Sequence, residues 1–376
     1  MPSTEIISQF IDPRREDYYN TAGITLLPLC VKDALNAYLT DTASDFLGAY
    51  GRHLALTDRV RANLATLMNA AHPNEVAITH HTAEGANVIV NGIRWNPGDK
   101  ILSLNREYPS TIYPWMNAEK LHGVKLILLE EQNGRVDEQV IIDALRTHRP
   151  RLFALSAVEW NSGYRFDLES IGRACEELDI FFFVDAAQAL GFTEVDVQKC
   201  RIKAMAGSAW KWLFGPPGQG YLYLRQDLLE TITPVFVGSC SVPNPSDFSH
   251  YQFEFKPDSR RFEYSTASLS NIVWFDAALR FLLGIPRADL HEHVFGLQDY
   301  ALEQLKSIGC KVRGDRPREQ RSGIMAFQHP TIDSQTLVKR LLQEAGIFAQ
   351  ERDQFVRLAF HVYNTRAGID RLLEKL

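Results

Sequence analysis

Five short apolar runs pass through the first half of the chain: EVAITH (75–80), KILSLN (100–105), KLILLE (125–130), RLFALSAV (151–158) and IFFFVD (180–185). Runs of this length, rich in branched and aromatic side chains, read as strands. Between them, EQVIIDALRTH and DLESIGRACEELD place apolar residues three and four apart, the period of a helix packed on one side. Strands apolar on both faces that alternate with helices require a mainly parallel sheet covered on both sides. YLYLRQD (221–227) gives one more strand, after which the character changes. SCSVPNPSDFSHYQFEFKPDSRR is a polar, Pro- and aromatic-rich connection, followed by a helix near 271–284 and a smaller α/β region. The expected organisation is an N-terminal arm (1–20), a large domain (21–250) and a smaller C-terminal α/β domain (251–376).

At 376 residues the chain exceeds the usual size of one hydrophobic core, which agrees with two domains. A net charge of −6 and the lack of any five-residue Lys/Arg run give no electrostatic reason to expect a nucleic-acid partner. The opening MPSTEIISQFIDPRRED has early charges and no long apolar core, so neither a signal peptide nor a membrane span is expected. Five cysteines, at 30, 175, 200, 240 and 310, form an odd set without a C-x-x-C pair. A reducing cytoplasm is the expected location.

The stretch FFFVDAAQALG ends its strand in a carboxylate, Asp185, and MAGSAWKWLFGPPGQG then sets Lys211 after Gly207, Ser208 and Ala209. In sheets of this kind ligands collect beyond the carboxyl ends of the strands, and Asp185 occupies such an end. A helix N-cap or turn aspartate is the plain alternative. Gln188 lies one helical turn on, and the small residues before Lys211 let a planar ligand approach the backbone. A buried lysine is costly unless its charge is neutralised or its amine is used, as in a Schiff base. Pyridoxal 5′-phosphate (PLP) uses this pair: a lysine holds it as an aldimine, and an acid keeps its pyridine nitrogen protonated. His80 and His81, adjacent on a strand, would face opposite ways with no third ligand, so no metal is expected. GPPGQG lacks the GK[ST] ending of a nucleotide loop and reads as the turn after Lys211.

VDAAQALG, GSAWKW and FVRLAFHVYNT together resemble the aminotransferase class V, or cysteine-desulfurase-like, superfamily of PLP enzymes of fold type I. The resemblance runs from YYNTAGITLLP to the YNT near the end. It implies a seven-stranded, mainly parallel sheet between helices. It implies further that Lys211 forms the internal aldimine, Asp185 pairs with the pyridinium and Gln188 bonds the phenolic oxygen. Thr82, the amide of Ala83, Ser208 and Trp210 would serve the phosphate, with Trp210 at the family's usual histidine position. Its indole N–H can still donate. Tyr108 would stack on the cofactor, and Thr266, in an interface segment near 260–270, would reach the phosphate of a partner in a homodimer. Arg357 would grip the α-carboxylate of the substrate, a small or medium amino acid with a polar or sulfur-containing side chain, with Asn20, Thr21, Ala22, Trp160 and Tyr108 around that side chain. Plainer roles stand beside these: Tyr108 as a packing aromatic, Thr82 as a helix cap, Arg357 as an ion-pair residue and Trp160 as a wall of the pocket.

Desulfurases carry a nucleophilic cysteine on a mobile loop shortly before the carboxylate-binding arginine, and the corresponding AGIFAQERDQFVR contains none. Elimination, transamination and Cα epimerisation are left. The VRLAFHVYNT pattern, with Arg352 five residues before Arg357, is similar to the lyase and epimerase-like branch. A lyase of the carbon–sulfur type is the leading expectation, with a class V aminotransferase or an epimerase as alternatives. A PLP-binding protein without catalysis would not need a carboxylate clamp.

Overall fold

The computed structural model describes residues 4–132, 134–247 and 249–376. Met1–Ser3 of the expected arm, and Asn133 and Phe248 of the expected large domain, lie outside the described residues. The apolar runs form β1 (Val76–Thr79), β2 (Lys100–Leu104), β3 (Lys125–Leu129), β4 (Leu152–Ser156) and β5 (Phe181–Asp185), and two further strands follow, β6 (Ala204–Ser208) and β7 (Gly220–Leu224). They make one seven-stranded sheet in the order β1-β7-β6-β5-β4-β2-β3, in which only β7 runs against the others.

The two-sided burial expected of IFFFVD follows from the pleat. Phe182 and Val184 of β5, with Phe153 and Leu155 of β4, enter a core that also holds Ile141, Leu145 and Ile171 of the helices Glu138–His148 and Leu168–Glu177. Phe181 and Phe183, with Leu152 and Ala154, face the other way, onto Val88, Ile89 and Trp115 of the helices Thr82–Gly92 and Pro109–His122. Each such side chain contributes about 1.5–3 kcal/mol when fully buried, so this centre of the sheet is its most strongly held part.

β6 differs in kind. Its sequence, AMAGS, has no branched or aromatic residue, yet all five positions are buried. Small residues are needed because the helix Thr82–Gly92 lies directly on this strand. A Cβ on Gly85 would come within 2.6 Å of Ala206 Cβ, and one on Gly207 within 2.2 Å of the Tyr221 hydroxyl.

The second sheet contains β8 (Lys311–Arg313), β9 (Ile324–Gln328), β10 (Gln350–Arg352) and β11 (Phe355–Ala359), all antiparallel, in the order β10-β11-β9-β8. The chain before the first long helix, Leu29–Ser44, runs along this sheet, through parallel bridges from Tyr18 to Phe348 and from Asn20 to Ala359. Asn364 Nδ2 donates to the Glu16 and Tyr18 carbonyls at 3.1 and 3.0 Å, and the Thr21 and Tyr363 hydroxyls bond each other. Among the described residues no single helix is long and apolar enough to cross a membrane.

The close seat of the helix Thr82–Gly92 on β6 is testable. Gly85→Val forces a side chain into the 2.6 Å gap against Ala206 and should destabilise the protein by about 1–3 kcal/mol in urea unfolding. A variant as stable as the parent would show that the helix does not rest on β6.

Candidate active site

Five strand ends open on one cavity of about 340 Å³. Thr82 and Ala83 follow β1, Tyr108 and Ser110 follow β2, Ser156 ends β4, Asp185 ends β5, and Ser208, Trp210 and Lys211 come from β6 and the turn after it. Ala22 and Gly23 of the N-terminal segment, with Arg352 and Arg357 of the smaller sheet, close the opposite wall. The cavity thus draws on residues from almost the whole length of the chain.

Asp185 and Lys211 are 5% and 8% exposed, and neither belongs to an ion pair among the described residues. Burial holds the Lys211 ammonium down to about 8, against the favourable field of Asp185 and with the Arg357 charge adding to the depression. Burial likewise raises the Asp185 carboxyl to about 6, although the Ala187 N–H, which donates to Oδ1 at 2.8 Å, and Lys211 both favour its charged form. The chain after Asp185 makes turns and not a helix, so Asp185 is a turn aspartate and a cavity residue at once. Lys211 Nζ lies 5.3 Å from the centre of the Tyr108 ring.

At one end of the cavity the Thr82 and Ser208 hydroxyls bond each other at 2.9 Å. Thr82 begins its helix, but the capping residue is His81, whose Nδ1 accepts from the Glu84 N–H at 3.1 Å. The N–H groups ahead of Glu84 have no intrahelical partner and, with the helix dipole, favour an anion. The two histidines therefore do not lie on a strand as expected. β1 stops at Thr79, His80 pairs with Glu84 at 2.9 Å and His81 lines the cavity. No group of three or more His, Cys, Asp or Glu suited to a metal occurs among the described residues.

At the other end Arg357, 3% exposed, donates from Nη1 to the Trp160 carbonyl at 2.9 Å and has no carboxylate partner among the described residues. Burial and then the charge of Arg352 bring it down to about 10. The two arginines meet because β10 and β11 are joined by a two-residue turn, Asp353 and Gln354, with φ of 52° and 64°. Positive φ at both positions is the tight turn that matches the twist of paired strands. Arg313 holds Asp353 at 2.8 Å, and Arg106 pairs with it from the β2 side. Trp160 Nε1 donates to the Arg106 carbonyl at 2.8 Å, and its ring meets Tyr108 edge-on at 5.7 Å. Tyr108 itself is 41% exposed, at the cap of the helix Pro109–His122.

Gln188 spans the cavity floor, donating from Nε2 to the Ala22 carbonyl at 3.0 Å and accepting at Oε1 from Trp212 Nε1 at 3.0 Å. Asn20 is buried behind Gly23 and does not line the cavity, and Thr21 faces Tyr363. Thr266 is exposed and outside the cavity. Sequence reasoning did not single out Ser156 or Glu107. The Ser156 N–H donates to Glu107 Oε1 at 2.7 Å and its hydroxyl bonds the other carboxylate oxygen, while burial raises Glu107 to about 8. In REYPS this glutamate reads as an ordinary surface charge. None of the five cysteines lines the cavity.

The chain matches the family described as "Aminotransferase class-V" over residues 17–372. A probable cysteine desulfurase of Methanothermobacter thermautotrophicus is 27% identical over 381 residues, which cover 96% of this chain and 93% of that protein. One of Pyrococcus abyssi is 26% identical over 378 residues, covering 95% and 92%. Among solved structures, the apo cysteine desulfurase of Thermococcus onnurineus superposes with a TM-score of 0.90 at 21% identity, covering 100% of this chain and 97% of that one. The cystine C–S lyase C-DES, in complex with its reaction product cysteine persulfide, gives 0.86 at 22% identity, covering 96% and 97%. At these identities the structural likeness is one of fold.

The two buried ionisable groups fix how the cofactor-free protein responds to pH. Between about 8 and the ordinary 10.5 the unfolded chain carries a proton on Lys211 that the folded one has lost, so stability rises with pH across that window. Between the ordinary 3.8 and about 6 the folded chain holds a proton on Asp185 that the unfolded one has lost, so stability falls as pH rises there. Lys211→Met should therefore stabilise the cofactor-free protein at pH 7, about where the burial penalty is still present, and the gain should shrink between pH 8 and 10.5 in urea titrations. A gain independent of pH would show that the Lys211 charge is not what the fold opposes.

Proposed function

The chain belongs to the aminotransferase class-V family, PLP-dependent enzymes of fold type I, and from that premise we propose that it is a lyase. The reaction would be a β-elimination at an amino acid with a polar or sulfur-containing side chain. The observation that carries this reading is the meeting, in one cavity, of a buried amine, a buried carboxyl and a buried guanidinium, none of them in an ion pair among the described residues: Lys211, Asp185 and Arg357. The donor set fits PLP. Lys211 would be its covalent anchor, with Asp185 as the partner of the ring nitrogen and Gln188 of the ring oxygen. Thr82, Ser208, the amide of Ala83 and the Trp210 indole would serve its phosphate, and Tyr108 would cover the ring.

When bound, PLP supplies an electron sink conjugated with the substrate's Cα. The rest is work for side chains of this protein. Arg357 binds the α-carboxylate through its planar fork and so fixes which Cα bond faces Lys211. Lys211, lowered to about 8, is unprotonated often enough near neutral pH to take the Cα proton and to return one to a later carbon or leaving group. Asp185, raised only to about 6, keeps a negative charge at neutral pH. Trp160 and Tyr108, in edge-on contact, would wall the cavity beside the substrate's side chain.

The tight turn between β10 and β11 favours elimination over desulfuration by an enzyme thiol. Two residues have no room for a mobile loop, and none of the five cysteines lines the cavity. The same turn brings Arg352 into the cavity, which supports substrates with a second anionic group. The fold shared with a cystine C–S lyase adds weight to this reading. The test is to offer cysteine derivatives, cystine and their monocarboxylate analogues to the holoenzyme and follow keto acid, ammonia and sulfide. Equimolar keto acid and ammonia are expected. A stable pyridoxamine form rescued by added keto acids would instead mean transamination. Arg357→Ala should raise the half-saturating substrate concentration roughly 30-fold or more, the equivalent of about 2 kcal/mol. Arg352→Ala should erase the preference for cystine over its monocarboxylate analogues.

The active unit is a homodimer in this reading, because Thr266 then reaches the partner's phosphate site. Support comes from the exposure of Thr266 and of large apolar side chains such as Tyr251 (94%), Phe253 (72%) and Phe236 (53%). Light scattering should give twice the chain mass, and Thr266→Ala should weaken PLP retention. A monomer with undiminished cofactor affinity would overturn the dimer.

A further inference from the structure

Gln188 presents either an oxygen or a nitrogen to the cavity, and the two have opposite chemical meanings. Its surroundings decide which. Trp212 Nε1 lies 3.0 Å from Oε1, and an indole N–H donates only. The Ala22 carbonyl, 3.0 Å from Nε2, accepts only. Rotating the amide by half a turn would set N–H against N–H and oxygen against oxygen, in a place where Gln188 is 6% and Trp212 0% exposed. A buried polar group left unpaired costs about 1–3 kcal/mol, so one orientation is enforced. With one lone pair of Oε1 and one N–H engaged, the amide's second N–H is the donor that Gln188 can offer to an anionic oxygen in the cavity it lines.

Trp212 is in turn held from behind. A Cβ on Gly323, just before β9, would lie 2.4 Å from its six-membered ring, and one on Gly191 would lie 2.3 Å from its carbonyl. Gly191 has φ of 108°, a backbone state open to glycine, so this close approach is built into the turn. The indole also stacks on His361, with ring centres 5.7 Å apart and planes 26° apart. These contacts oppose a swing of the ring away from Gln188.

We propose that Trp212 is a positioning residue that locks Gln188 as a hydrogen-bond donor toward the cavity, so that the site selects the ionised form of the cofactor's ring oxygen over the neutral hydroxyl. The proposal rests on the reading of the cavity as a PLP site. The readout is the absorption spectrum of the PLP-loaded protein at one fixed pH, where the neutral-hydroxyl form absorbs at shorter wavelength than the ionised form. Trp212→Phe keeps an aromatic ring but removes the Nε1 donor to Oε1, and should raise the ratio of short- to long-wavelength bands roughly five-fold, the order expected for one lost hydrogen bond. Gln188→Leu, which leaves Trp212 in its packing, should give the same change, and the double variant should go no further. An unchanged ratio in either single variant, or additive changes in the double, would overturn the proposal. A parent protein that takes up PLP with no visible band of its own would overturn the cofactor reading and this one with it.

Discussion

A lysine amine and a carboxyl, both over nine-tenths buried and neither ion-paired among the described residues, are the constraint around which this molecule is arranged. Water would solvate them better than the protein does, so the surrounding structure must be rigid enough to keep them from reaching it. The rigidity comes from the centre of the larger sheet. β5 carries three consecutive phenylalanines into two separate cores before it delivers Asp185, and the neighbouring β6 is thin enough for a helix to rest against it on the way to Lys211. The burial that depresses one group and raises the other is the same burial that stabilises the sheet.

Much of this was legible in the residues. Strands announced by branched and aromatic runs appear where they were expected, because those side chains are what fill the space on either face. β6 was not, since its role is to occupy little volume and its Ala, Gly and Ser look like loop residues. The site was legible where chemistry needs an unusual residue in a telling place, as with Lys211, Asp185, Gln188 and Arg357, which all line the cavity. It was not legible where a residue acts through distant partners. Glu107 meets Ser156 only because β2 and β4 are neighbours, and Asn20 sits behind Gly23 because its backbone is tied to β11. Neither relation has a local sequence signature.

The scaffold and the chemistry are also separable. The larger sheet would hold the same cofactor in a transferase, a lyase or a desulfurase, since fold does not determine reaction. What differs is carried at the rim. Here Asp353 and Gln354 form a two-residue turn, with Arg313 and Arg106 pinning the aspartate. The short connection is what sets Arg352 beside Arg357 in the cavity.

The N-terminal segment that runs along the smaller sheet has a consequence for how the protein is made. Tyr18, Asn20 and Thr21 bond to Phe348, Ala359 and Tyr363, contacts among the longest in sequence that the chain makes. Such contacts close last, because loop entropy opposes them until the intervening chain has folded. During synthesis the larger sheet has all its strands long before β11 leaves the ribosome. Until it does, Ala22 is unanchored, Arg357 is absent and the cleft holding Lys211 stands open to water. The cleft around Lys211 is thus complete only once the N-terminal segment and β11, distant in sequence, have met.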